Sequence, residues 1–356
     1  MHFFSQTHLL NRNSRVRRFV ALLIITALFL ILSQLIFSFF DQSDSSSDLR
    51  PLAEIPAQAQ PVETGIFAMN LYDIDASRNT YYLDFYMWFK WQGDIDPTGS
   101  LELANGVEDW GVSSVPVYEE PEELPDGSFY QAWRVEGRFV QPLILERYPL
   151  DRHNLKVLVE NSVYTTDQLV YVADAEESGF SDTLAVPDWE IQGFEVASLV
   201  RQYTTNFGDP RIGDEAQHSV FQYSLQIARP VSFFLWKLLL PLIIVIATSW
   251  GSLLLNPQHI DSRIGLPVTG LLTAVFLQES YSSNLPDVGY LVLLDRIYAV
   301  AYILIFISIL EAIVTAEWVN DERPDGYEQA IKLDRLLLKA QTAVLLVGIV
   351  LIILFS

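Results

Sequence analysis

The chain has 356 residues, is 50% hydrophobic with no cysteine, and carries a formal net charge of −22. That length accommodates two domains, and the missing cysteine excludes disulfide staples, thiolate metal sites and cysteine nucleophiles. Thirty acidic against ten basic residues lie between positions 51 and 229, so the acidity belongs to one region, which repels nucleic acid and anionic lipid and favours cations.

In chain order, Arg12, Arg15, Arg17 and Arg18 precede an uncharged apolar run from Phe19 to Phe40. Residues 1–18 read as a cytoplasmic basic segment and 19–40 as an uncleaved signal anchor, because the run exceeds the 7–15 residues typical of a signal-peptide core. Ala57-Gln58-Ala59 has the small-residue pattern of a cleavage site but lies far downstream, so cleavage stays open. Residues 41–62, rich in Ser, Asp, Pro, Gln and Ala, are expected to be a linker. From 63 to 229 the pattern is one of short strands. Tyr81 to Trp91 is aromatic and β-prone, Leu155 to Val159 alternates, and Pro125-Asp126-Gly127 and Gly208-Asp209-Pro210 mark turns. Many strands without intervening helical periodicity predict a β-sandwich outside the membrane. Among its residues His153 and His218 join His2, His8 and His259 without ligand spacing, so neither a metal nor a cofactor is expected.

After Arg229 the composition turns apolar, and residues 230–356 are predicted to form four membrane helices. They are Pro230 to Leu255 interrupted by Pro241, Ile264 to Ser283, Tyr290 to Trp318 and Leu336 to Phe355, with Asn320 to Arg335 as the one long loop. The amino terminus would lie inside, the sandwich outside, and the protein would be a multi-pass component of the cell (inner) membrane.

The second of these helices carries polar residues that hydrocarbon does not tolerate unless they face protein or water. Asp261, Gly265, Thr269, Leu272, Phe276, Glu279 and Ser283 recur every three or four residues and fall on one stripe. Identical helices around a water-filled path would turn it into rings: acids to attract cations, Thr269 to offer oxygen, Leu272 and Phe276 to close by dewetting. The same polar groups could instead bond to neighbours within one bundle. Pro267 is tolerable if the helix starts near Asp261; otherwise a kink is expected.

Over about residues 63–356 the chain resembles the prokaryotic pentameric ligand-gated ion channels, relatives of the Cys-loop receptors. The resemblance rests on an ordered set. Tyr148-Pro149-Leu150-Asp151 with Arg152 and His153 looks like the family's signature loop. Arg229, Pro241 and Ser249-Trp250 match the approach to and body of its first helix. Arg263 to Leu272, Leu285-Pro286, Tyr290 and Asp295 are similar to its pore helix and connector. Thr80 to Trp91 resembles an early strand pair of bacterial ectodomains.

The flanking cysteines of the animal receptors would fall at Gln141 and Leu155, and their absence is usual for bacterial members. The resemblance implies a homopentamer of identical subunits in a lipid bilayer, a pore lined by the 261–283 helix, and a small-molecule or ionic agonist bound between ectodomains. It implies coupling through Tyr148 to Asp151, Arg229, Leu285 and Pro286, where Asp151 and Arg229 are expected to form a partly buried ion pair. Glu279 and Asp261 are expected to make the permeating ions cations.

Trp133, Phe180, Trp189, Tyr203 and Phe207 are candidate agonist residues, with core packing as the competing role. The agonist itself stays open among amines, protons and divalent cations. A non-conducting receptor and a membrane-anchored binding sandwich remain alternatives. An anchored enzyme lacks support, since no nucleophile elbow, zinc-protease motif or Gly-rich phosphate loop is present.

Overall fold

The structure, a computed structural model, describes residues 48–107, 112–206, 208, 216–283, 285–320 and 325–355. The predicted cytoplasmic segment and signal anchor lie outside the described residues, as does Phe207. Among the described residues twelve strands come first: β1 (Leu49–Pro51), β2 (Gln60–Asp75), β3 (Thr80–Trp91), β4 (Leu101–Leu103), β5 (Val112–Pro116), β6 (Glu122–Glu123), β7 (Phe129–Val140), β8 (Arg152–Asn161), β9 (Leu169–Ala173), β10 (Gly179–Phe180), β11 (Glu190–Gln202) and β12 (Gln217–Ala228). They form two sheets, β1-β11-β12-β8-β4 and β10-β2-β3-β7-β5, with β6 on β7 and β9 on β2. One core fills the space between them. Ile66, Leu83, Phe85, Phe89 and Phe139 from one sheet meet Val157, Val159, Phe221, Tyr223 and Leu225 from the other, all fully buried. This packing holds the sandwich without disulfides, since each fully buried large apolar side chain contributes roughly 1.5–3 kcal/mol.

Two boundaries differ from the sequence reading. The segment expected to be a linker contributes β1, which pairs with β11 from Leu49↔Arg201 to Pro51↔Leu199, and β2 already begins at Gln60. Short polar strands at a sheet edge have too few apolar residues to register as strands in sequence.

Among the described residues four helices follow. The first, α1, spans Val231–Leu254. Just before Pro241 it widens into a π-helical turn, Phe234–Leu239, with the Leu240 N–H bonded to the Leu235 carbonyl five residues back. That local widening lets the helix continue past a residue with no N–H to donate. The others are α2 (Ile260–Ser282), α3 (Leu293–Asn320) and α4 (Gly326–Phe355). Among the described residues α1, α2 and α3 are long and apolar enough to cross a membrane. The chain is thus an extracellular β-sandwich followed by a helical membrane bundle.

The fourth helix starts ten residues before the predicted Leu336 and absorbs much of the expected loop. Ala330, Asp334, Leu337 and Gln341 are buried at helical spacing, so its first turns pack inward through a face too polar for hydropathy to mark.

Candidate functional site

The sandwich meets the bundle at the loop between β7 and β8. Leu145 and Tyr148 are buried in the same apolar cluster as Phe234, Leu239, Tyr281, Val292 and Tyr298 of the helical region. The backbone joins as well. The Leu293 N–H donates to the Glu146 carbonyl at 2.8 Å, and the Leu145 N–H to the Tyr290 hydroxyl at 2.9 Å. The Tyr148 ring stacks on Tyr281 near the end of α2, with centroids 6.4 Å apart.

Within this joint the expected ion pair is present. Arg229 Nε donates to Asp151 Oδ1 at 2.9 Å, and the Asp151 side chain is only 1% exposed. The other oxygen, Oδ2, lies 2.9 Å from Nε2 of the buried His153. The guanidinium also lies over two aromatic faces, 4.2 Å from the Trp189 centroid and 5.0 Å from that of Tyr148. Trp189 reaches it because Asp188 adopts a left-handed backbone (φ 65°) and the Trp189 N–H bonds back to the Val186 carbonyl at 3.3 Å. Asp151, Arg229, Tyr148, His153 and Trp189 are therefore one unit. Leu285 packs against the same buried cluster, and Pro286 beside it is half-buried.

From Tyr281 the contacts continue into the helices. Its hydroxyl lies 2.5 Å from Asp295 Oδ1, which also accepts from Gln278 at 3.3 Å, and Gln278 is bonded in turn to the Tyr302 hydroxyl. An unbroken chain of contacts thus links the last residue of the sandwich to the end of α2.

Along α2 the buried residues are Arg263, Pro267, Gly270, Ala274 and Tyr281, which face α1, α3 and α4. The helix runs through Pro267 from its start at Ile260, with the proline on this buried face. Asp261, Gly265, Thr269, Leu272, Phe276, Glu279 and Ser283 are all exposed on a single chain. Leu272 and Phe276 are 57% and 66% exposed, so no other described element of the chain covers them.

Of the described candidate agonist residues, Trp189 and Tyr203 do not meet within one chain. Trp189 and Tyr203 flank the 13-residue β11 at opposite ends, roughly 45 Å apart at about 3.3 Å per residue. Trp133 and Phe180 pack partly buried against the sandwich core, Phe180 edge-on to Phe194 at 6.2 Å. Tyr203 instead belongs to a polar cluster at the far end of the sandwich. Glu160 Oε2 accepts from Arg201 Nη1 at 2.6 Å and from the Tyr203 hydroxyl at 3.2 Å, and the Tyr203 ring packs edge-on to His218. Burial pushes the Glu160 carboxyl above its usual range, and the Arg201 guanidinium offsets this only in part.

Two features escaped the sequence reading. Trp189 was visible as an aromatic residue, but its contact with Arg229 joins positions distant in the chain. Arg263 is bonded to Glu311 and Asp334, which lie 48 and 71 residues further along. The signal that could have found this second group is the presence of ionisable residues inside apolar helices.

A sandwich outside the membrane, seated through a charged and aromatic joint on a bundle whose second helix leaves a polar stripe uncovered, defines a membrane receptor with a transmembrane output. No protein-family model matches the chain. It is 21% identical over 292 residues, 76% of either chain, to a proton-gated ion channel of Gloeobacter violaceus. It is also 23% identical over 188 residues to a gamma-aminobutyric acid receptor subunit beta of Lymnaea stagnalis, covering 52% of this chain and 36% of that one. A gamma-aminobutyric acid receptor subunit beta-4 of Gallus gallus is 24% identical over 189 residues, 52% of this chain and 37% of the relative. The chain thus spans little more than a third of the receptor subunits and about three quarters of the bacterial channel. The chain is therefore similar to ligand-gated ion channels, and with no cysteine among the described residues it resembles the bacterial type of pentameric channel.

Proposed function

We propose that five identical copies of this chain form a cation-selective channel, gated by an agonist at the ectodomain and closed at Leu272 and Phe276. In this reading residues 63–229 are the sensing domain, with residues 230–356 forming the pore domain. The observation that carries it is the stripe on α2, where two bulky apolar residues and two carboxylates lie uncovered in a helix of membrane-spanning length. Hydrocarbon would solvate the apolar pair but not the acids, whereas a fivefold axis with water at its centre accommodates all of them. Asp261 and Glu279 would then place rings of negative charge at the two ends of the path, about 27 Å apart along the helix at 1.5 Å per residue.

The joint supplies the transmission. A displacement of Arg229 or of the Tyr148 to Asp151 loop reaches α2 through the Tyr148–Tyr281 contact. The similarity to a proton-gated channel and the acidic exterior make protons the first agonist to test.

The test is recording from purified protein in planar bilayers under a sodium chloride gradient, with stepwise acidification of the ectodomain side. Currents that reverse near the sodium potential are expected. Reversal at the chloride potential would reject cation selectivity, and silence at every pH would reject protons as the agonist.

A further inference from the structure

The least explained group in the helical region is Arg263. It lies in the first turn of α2, two residues after Asp261, yet its side chain is only 1% exposed. Two positions along a helix correspond to about 200° of rotation, so the two side chains leave on opposite faces. Asp261 is exposed, and Arg263 runs back into the bundle. There Nη2 donates to Glu311 Oε2 of α3 at 2.9 Å and to Asp334 Oδ1 of α4 at 2.5 Å. Both carboxylates are as buried as the guanidinium, with side chains 1% and 4% exposed. Nε and Nη1 of Arg263 have no hydrogen-bond partner among the described residues, so every side-chain bond holding the cation inward goes to Glu311 or Asp334.

This end of α2 is the inner one. The opposite end carries Tyr281, which touches the sandwich loop through Tyr148, so Asp261 and Arg263 lie at the mouth remote from the ectodomain. A long, flexible cation beside a carboxylate ring would cancel that ring if it reached the same water. We propose that Glu311 and Asp334 are specificity-determining residues: by clasping Arg263 inside each subunit they leave the inner mouth to Asp261 and so keep it selective for cations.

Neither acid touches the conduction path. They act by withholding a positive charge from it, and the arrangement fixes the base of α2 to both outer helices at the same time. This inference rests on the reading of α2 as the pore helix.

The experiment compares the full-length wild type with E311Q/D334N and with R263Q/E311Q/D334N, reading reversal potentials under a sodium chloride gradient. The amides keep the size of the side chains while removing the two carboxyl groups that hold the guanidinium. In the doubly substituted channel the cation-to-anion permeability ratio is expected to fall at least about tenfold, because five unit charges act together at one constriction. Adding R263Q, which removes the released cation, is expected to restore the wild-type ratio.

A purely structural role for the clasp would lower expression or thermal stability and leave the reversal potential where it was. An unshifted potential in conducting E311Q/D334N channels overturns the proposal. So does a shift that R263Q fails to reverse. Should the double variant not assemble, D334N alone decides: a smaller shift in the same direction, abolished by R263Q, supports the clasp, and no shift overturns it. The wild-type reversal potential reports separately on the channel's own selectivity, so its failure is distinguishable from failure of the clasp.

Discussion

Breaking the Asp151–Arg229 pair is the perturbation whose size the structure constrains best. The Asp151 side chain is 1% exposed and that of Arg229 18%. Removing one partner of a fully buried pair costs about 3–5 kcal/mol, because it leaves an uncompensated charge. Arg229 retains a wet edge and two aromatic faces, each cation–π contact contributing about 0.5–2 kcal/mol. The cost of Asp151→Asn should therefore be lower, about 2–3 kcal/mol, with His153 still able to bond the new amide. At about 1.4 kcal/mol per factor of ten, that corresponds to a roughly 30- to 150-fold change in the gating equilibrium if the pair is made in only one of the two states.

The assay is a double-mutant cycle on Asp151→Asn and Arg229→Gln, with agonist concentration–response and thermal unfolding measured for all four proteins. The expected coupling is at least about 1.5 kcal/mol in the gating data, since neither substitution has much left to lose once the other is present. Additivity within about 0.5 kcal/mol would refute the claim that the two side chains act as a unit. Arg229→Lys is a useful fifth protein. It keeps the charge but loses the planar face that lies on Trp189, so it should behave more like Gln than like Arg.

Other expectations follow from packing and charge. A Cβ on Gly270 would stand 2.3 Å from Ser249 Oγ and 3.5 Å from the Val245 carbonyl, so Gly270→Ala should cost about 1–3 kcal/mol, and Ser249→Ala in the same chain should recover most of it; equal melting temperatures for the single and double variants would contradict this. Because burial raises the Glu160 carboxyl, its contribution to stability is complete below the unfolded-state value and is lost as pH rises through the raised one. The melting temperature of wild type relative to that of Glu160→Gln should accordingly fall as pH rises from acid toward neutral, and an offset independent of pH would refute it. Leu272→Ala should raise the open probability at low agonist by widening the apolar constriction, and single-channel records with unchanged spontaneous opening would count against the proposed gate.

What the sequence discloses and what it hides divide along physical lines. Signals carried by local periodicity are legible: the β-prone run from Tyr81 to Trp91 is β3, and the residues at three- and four-residue spacing on α2 are among those the described chain leaves exposed. Signals that require polar residues to be buried are not. The start of α4 is obscured because Asp334 and Gln341 are polar yet face inward, where Asp334 meets Arg263 and Gln341 meets Ser308 at 3.4 Å. Likewise β1 has three residues and pairs with a strand some 150 positions away, which no window of sequence contains. At the joint, the pairing of Asp151 with Arg229 follows from the resemblance. The seating of Trp189 over Arg229 depends on the left-handed turn at Asp188 and on sheet register, and a sequence offers no reason to prefer it over an agonist site.

Conduction along α2 requires water to reach one face of that helix, and the chain's lack of native cysteine makes this directly measurable without background. The measurement is covalent block by a charged, membrane-impermeant thiol reagent of channels bearing Thr269→Cys, with Ala274→Cys on the buried face as the comparison. Reaction at 269 that abolishes current when agonist is present, with none at 274, is the predicted result. A thiol at 269 that stays unmodified in resting and activated protein alike would show that no water-filled path runs along this face.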